Sequence, residues 1–134
     1  MDEGVSRMSE TPLQKRIILM ASQLGHRLFR HNVCMAWAGK AIKFSKEAKI
    51  TVYPGDVLVR KAYPIHAGLT EGGSDLIGWH GITGKFIAIE TKTIDGKTDK
   101  DRLEKQENFI LQVNKAGGIA GIIRTEEEGF DLLC

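Results

Sequence analysis

Cysteine is scarce in this chain: the 134 residues hold only Cys34 and Cys134. Neither sits in a CxxC or Cys/His spacing, so neither a disulfide framework nor a zinc site is indicated, and the two read as free thiols. Long apolar runs are missing as well, since nothing approaches the roughly 18 to 20 residues of a membrane span. The N-terminal MDEGVSRMSE is acidic and polar, where a signal peptide is basic and then apolar. The expectation is a cytoplasmic protein with no membrane partner. His26, His31, His66 and His80 share no metal-ligand spacing. GWHGITGK is not a GxxxxGK[ST] phosphate loop either, because five residues separate Gly78 from Gly84 and Phe86 follows Lys85.

What is present is ordinary for a globular protein, with 42% hydrophobic and 27% charged residues. One domain spanning 1–134 is expected, its core at about 9–125. The net charge of +2 hides an asymmetry, because residues 1–12 carry −2, residues 13–61 carry +8 and residues 62–134 carry −4. The basic segment includes Lys40, Lys43, Lys46 and Lys49, spaced to suit a strand or loop lying along phosphates. Such lysines also decorate solvated faces, so charge alone leaves both readings open.

Thr11, Pro12 and Gln14 form a T-x-x-Q capping box, and Leu13, Ile17, Met20, Leu24 and Leu28 follow helical spacing to about residue 29, with Gly25 a mild interruption. Short β-like runs follow (VCMAW, ITVY, DVLVR, AYPI), then strands at about 75–79 and 85–92 joined by HGITG as a hairpin. TDKDRLEKQENFILQVNKAGG reads as a helix that starts near Thr98 or Asp99 and stops at Gly117-Gly118. IAGIIRT reads as a buried strand able to lie beside the hairpin through a crossover connection. The order predicts an α/β fold: an N-terminal helix, a mixed sheet with a hairpin, a crossover helix and a final strand. EEEGFDLLC carries no clear signal.

In KFIAIETK, alternation puts Phe86, Ala88, Glu90 and Lys92 on one face and Ile87, Ile89 and Thr91 on the other. If Trp79 pairs with Phe86, then Ile77 faces Ala88 and Asp75 faces Glu90. Like charges so placed repel, and a divalent cation between them removes the repulsion. Carboxylates and a backbone carbonyl are hard ligands that suit Mg²⁺ or Mn²⁺. Lys92, one pleat beyond Glu90, is placed to orient a water and offset charge on phosphorus. A solvated hairpin is the rival reading, but Ile77, Phe86, Ala88 and Ile89 argue against an exposed face. On the following helix Gln106 falls within the apolar stripe of Leu103, Phe109, Ile110 and Val113, so its amide needs a partner, either at a strand end or at the metal site.

GGSDLIG, IAIETKT and KQENFILQVNKAGGIAGIIRT, with ETPLQKRI and HNVCMAWAGKAIKFSK, closely resemble the VRR-Nuc (virus-type replication-repair nuclease) family of the PD-(D/E)xK superfamily. The likeness is to its small stand-alone phage and bacterial form and runs from about Ser9 to Thr125. It implies a restriction-endonuclease-like fold and a Mg²⁺- or Mn²⁺-dependent endonuclease that acts as a homodimer on branched DNA such as Holliday junctions. By the same likeness Asp75, Glu90 and Lys92 form the catalytic triad. The Thr91 carbonyl is a further metal ligand, Gln106 a site residue, and Glu10 the first-helix acid near the metal. A non-catalytic DNA-binding module that keeps the same fold is the alternative, and metal-dependent nicking separates the two.

Overall fold

The computed structural model describes residues 2–38 and 44–134, with the side chains of residues 2–10 and of Trp37 outside the described set. Its elements are α1 (Asp2–Gln23), β1 (Arg27–Arg30), β2 (Cys34–Ala38), β3 (Tyr63–Ala67), β4 (Leu76–Trp79), β5 (Phe86–Thr91), α2 (Lys100–Lys115), β6 (Ile119–Ile123) and α3 (Glu126–Leu133). The chain divides into two compact units. The smaller, Cys34–Ala67, holds the antiparallel pair β2/β3. Here ITVY and DVLVR are irregular chain, not the expected strands.

The larger unit is mixed α/β. Its four-stranded sheet has the order β1-β4-β5-β6, antiparallel except for the parallel pair β5/β6. β4 and β5 pair in the register expected from the sequence, Trp79 with Phe86 and Ile77 with Ala88. Leu13, Ile17, Met20 and Ala21 of α1 pack with Ile87 and Ile89 of β5 and Leu133 of α3 in the core. That leaves the Ala88 and Glu90 side of β5 to α2. The sheet is thus covered on both faces, which is why every residue of β5 after Phe86 is buried.

α1 departs from expectation at both ends. It begins at Asp2, so Thr11 lies inside the helix with Pro12 and caps nothing. It stops at Gln23 because Gly25 takes φ +90°. The His26 N–H bonds the Ala21 carbonyl at 2.8 Å and the Gly25 N–H bonds that of Ser22 at 3.0 Å, the paired bonds of a left-handed helix stop. Leu28 therefore belongs to β1. α2 ends the same way at Gly117, as expected, with the Gly118 N–H on the Val113 carbonyl at 2.9 Å. In the last turn of α2, the Asn114 amide bonds both the N–H and the carbonyl of Ala120, each at 3.0 Å. The tail is helix α3, capped by Thr125, whose hydroxyl accepts from the Glu128 N–H at 3.2 Å.

β1 and β4 touch most closely at Gly78, where a Cβ would fall 1.8 Å from the Arg27 carbonyl oxygen. Backbone cannot give way as a side-chain tip can. Gly78→Ala is expected to destabilise by about 3 kcal/mol, the upper part of the usual overpacking range, as a lowered urea midpoint.

Candidate active site

Asp75 directly precedes β4 and continues the hairpin register, bringing it to Glu90. Its N–H bonds Glu90 Oε2 at 3.2 Å. Its own Oδ2 accepts from the Thr91 N–H at 3.0 Å and from the Thr91 hydroxyl at 2.9 Å. The approach to Asp75 is clamped by the residue that follows β1: the His31 N–H bonds the Asp75 carbonyl at 2.7 Å, and its ring Nδ1 lies 2.8 Å from the Ser74 carbonyl. Because His31 Nε2 accepts from the Leu69 N–H at 2.8 Å, Nδ1 must carry the proton and donate. Gly72 (φ +81°) passes so near α2 that a Cβ would lie 2.6 Å from the Lys105 carbonyl, which accounts for glycine in EGGSD. Next to Asp75, the Ser74 hydroxyl is fully buried with no partner among the described residues.

On the α2 side of β5, Glu90, Lys92 and Gln106 form one buried cluster. Gln106 Nε2 donates to Glu90 Oε1 at 2.8 Å, and Gln106 Oε1 accepts from Lys92 Nζ at 2.8 Å. Lys92 Nζ is also 3.6 Å from Glu90 Oε1. Gln106 is the buried residue of α2, so that helix presents an amide to the sheet where its stripe is otherwise apolar. Asp75, Glu90, Thr91 and Lys92 open into a cleft of about 200 Å³, with the cations of Lys97 and Arg102 on its wall.

Burial pushes the Glu90 carboxyl up to about 7, the Asp75 charge adds to this, and Lys92 opposes both. The folded protein thus holds this proton more tightly than the unfolded chain does. The resulting stabilisation is complete below the ordinary glutamate range and is lost as pH rises through about 7. It amounts to roughly 3 kcal/mol. In EDTA the melting temperature is expected to fall between pH 5 and pH 8. Asp75→Asn keeps an oxygen for both Thr91 bonds and removes the repelling charge, so it should recover about 1 kcal/mol at pH 8, flattening the fall.

Two carboxylates held together in a part-buried cleft with one lysine are the donor chemistry that a hard divalent cation takes. No side-chain oxygen of Asp75 other than Oδ2 is bonded among the described residues. No group of three or more His, Cys, Asp or Glu side chains is gathered among them either. Glu10 lies in α1, but its side chain is outside the described residues. Lys40 and Lys43 also lie outside them, whereas Lys46 and Lys49 are exposed in the smaller unit. Asp75, Glu90, Thr91, Lys92 and Gln106 come together in the larger unit. Sequence reasoning missed Gln14, which it assigned to a cap: its Nε2 donates to the Thr91 hydroxyl at 2.9 Å. His31 was missed too, and no metal spacing could have found a histidine that works on backbone carbonyls. No family model matches the chain, and no curated protein or solved structure matches it. No described helix is long and apolar enough to cross a membrane.

Proposed function

We propose that this chain is a Mg²⁺- or Mn²⁺-dependent endonuclease of restriction-endonuclease-like fold and VRR-Nuc type. On this reading it hydrolyses DNA phosphodiesters, favours branched DNA such as Holliday junctions, and works as a homodimer. The observation that carries the reading is the joining of Glu90 and Lys92 through Gln106, with the Asp75 N–H on Glu90, at one end of the β4/β5 hairpin, beside an open cleft. Repelling carboxylates at the rim of a core are costly, and a cation and its anionic substrate give that cost a reason.

Asp75, Glu90 and the Thr91 carbonyl would hold the cation, which when bound supplies Lewis acidity and neutralises charge on the phosphate. Lys92, kept in place by Gln106, donates from Nζ to the attacking water or to a non-bridging oxygen, where charge builds as phosphorus becomes five-coordinate. Water oxygen bonds to phosphorus as the P–O bond to one sugar breaks, and the departing oxygen takes up a proton. The products are a phosphate end and a hydroxyl end.

The test is nicking of supercoiled plasmid and of a synthetic four-way junction with Mg²⁺, Mn²⁺ or EDTA. Cleavage that needs the metal and prefers the junction is the expected result. Binding without cleavage in either metal leaves a DNA-binding module in its place. Neutralising Lys40, Lys43, Lys46 and Lys49 together is expected to weaken binding and flatten its dependence on log salt by about 0.9 per lysine that contacts phosphate, measured by fluorescence anisotropy.

A further inference from the structure

Thr91 turns away from Glu90 and Lys92 toward α1, and its hydroxyl lies between two polar side chains. Gln14 Nε2 donates to Thr91 Oγ1 at 2.9 Å, and Thr91 Oγ1 donates to Asp75 Oδ2 at 2.9 Å. A threonine hydroxyl has a single proton and can accept as well as donate. With Gln14 supplying a proton to the oxygen, the hydroxyl's own proton is free to go to Asp75. The Thr91 N–H reaches the same Oδ2 at 3.0 Å, so two bonds from one residue fix the carboxylate. Were the amide reversed, its oxygen would claim the hydroxyl proton, and a lone pair of Thr91 would face the carboxylate instead. Thr91 is 1% exposed, so water cannot readily substitute for either partner.

We propose that Gln14 is a positioning residue: from α1, through the Thr91 hydroxyl, it sets the orientation of the Asp75 carboxylate and thereby its affinity for a divalent cation. This rests on the nuclease reading of Asp75. What Gln14 contributes is a donor, not bulk and not merely a hydrogen bond. Gln14→Glu is nearly isosteric and can still bond Thr91, but as a carboxylate it only accepts, and it draws the hydroxyl proton away from Asp75.

The test is titration calorimetry of Mn²⁺ into the full chain, with melting temperature and single-turnover cleavage on the same preparations. Wild type is compared with Gln14→Leu, Gln14→Glu, Thr91→Val and the double variant Gln14→Leu/Thr91→Val. Gln14→Leu and Thr91→Val are each expected to weaken Mn²⁺ binding about tenfold, and the double variant no further, because both break one relay. Gln14→Glu should lose at least as much as Gln14→Leu. An amide that only packs α1 onto the sheet predicts lowered melting temperature with wild-type Mn²⁺ affinity, and predicts that glutamate is tolerated. Wild-type affinity in Gln14→Glu, or losses that add in the double variant, overturns the inference while leaving the nuclease reading standing. A wild-type chain that neither binds Mn²⁺ nor cuts overturns both. Should Gln14→Leu fail to fold, Gln14→Glu and Thr91→Val carry the comparison.

Discussion

Glu90→Ala, Asp75→Ala and Lys92→Ala are each expected to lower single-turnover cleavage at least about a thousandfold, because on the proposed nuclease reading each removes a separate part of the hydrolytic machinery. Glu90 is the most telling of the three. Its Oε1 takes the Gln106 amide and its Oε2 the Asp75 N–H, so the carboxylate is held from both sides. On that reading, alanine there takes away one of the two carboxylates that would hold the cation. It also relieves the Asp75 repulsion and the burial that hold the Glu90 carboxyl near neutrality. Against this relief stand an unpaired Gln106 amide and a buried Lys92 without its counter-charge, so stability at pH 8 should change little. A folded Glu90→Ala protein that still cuts at a substantial rate contradicts the assignment. Circular dichroism and a plasmid nicking time course on one preparation decide it.

The second large effect is expected at Gln106. The sequence leaves two partners open for its amide, a strand end or the metal site, and the second would let leucine hold or even raise stability. The structure gives it two protein partners instead, Glu90 Oε1 and Lys92 Nζ, each at 2.8 Å. Gln106→Leu therefore leaves two buried ionisable groups each one bond short, at a cost of roughly 1 to 3 kcal/mol apiece. A drop in melting temperature is expected, together with a fall in cleavage of about a hundredfold as Lys92 loses its orientation. Both losses should appear together. A destabilised variant that cuts at the wild-type rate would assign Gln106 to folding alone.

The parts of the fold legible in the sequence are those fixed by near neighbours. Strict alternation and a short loop set the β4/β5 register, which in turn apposes Asp75 and Glu90. The periodicity of α2 exposed Gln106 as an intruder, and Gly117-Gly118 marked where the helix stops. Elsewhere a local signature gave two different outcomes. T-x-x-Q at Thr11 is not a cap, because α1 already extends through it and Gln14 is taken by a strand 77 residues away. T-x-x-E at Thr125 is a cap, in a tail that had seemed featureless, with the Glu128 carboxylate reaching back to the Arg124 N–H at 2.8 Å. Gly25 looked like a tolerated flaw in a helix, since apolar spacing continued to Leu28. Only its left-handed conformation shows that Leu28 serves a strand. Motif and spacing name which groups are candidates, while long-range partners decide what they do.

β6 closes one side of the sheet, and with Ile119, Ile122 and Ile123 it is the kind of apolar edge that recruits foreign strands. The Ile123 carbonyl faces β5, where it accepts from the Lys92 N–H, so by alternation the amide groups of Ala120 point outward. Those are the two groups that the Asn114 side chain occupies. A single amide in the last turn of α2 thus imitates a neighbouring strand for one residue and breaks the edge into pieces too short to template another. A substitution at Asn114 that leaves the fold intact is therefore expected to show itself as a loss of solubility through edge-to-edge pairing at this border.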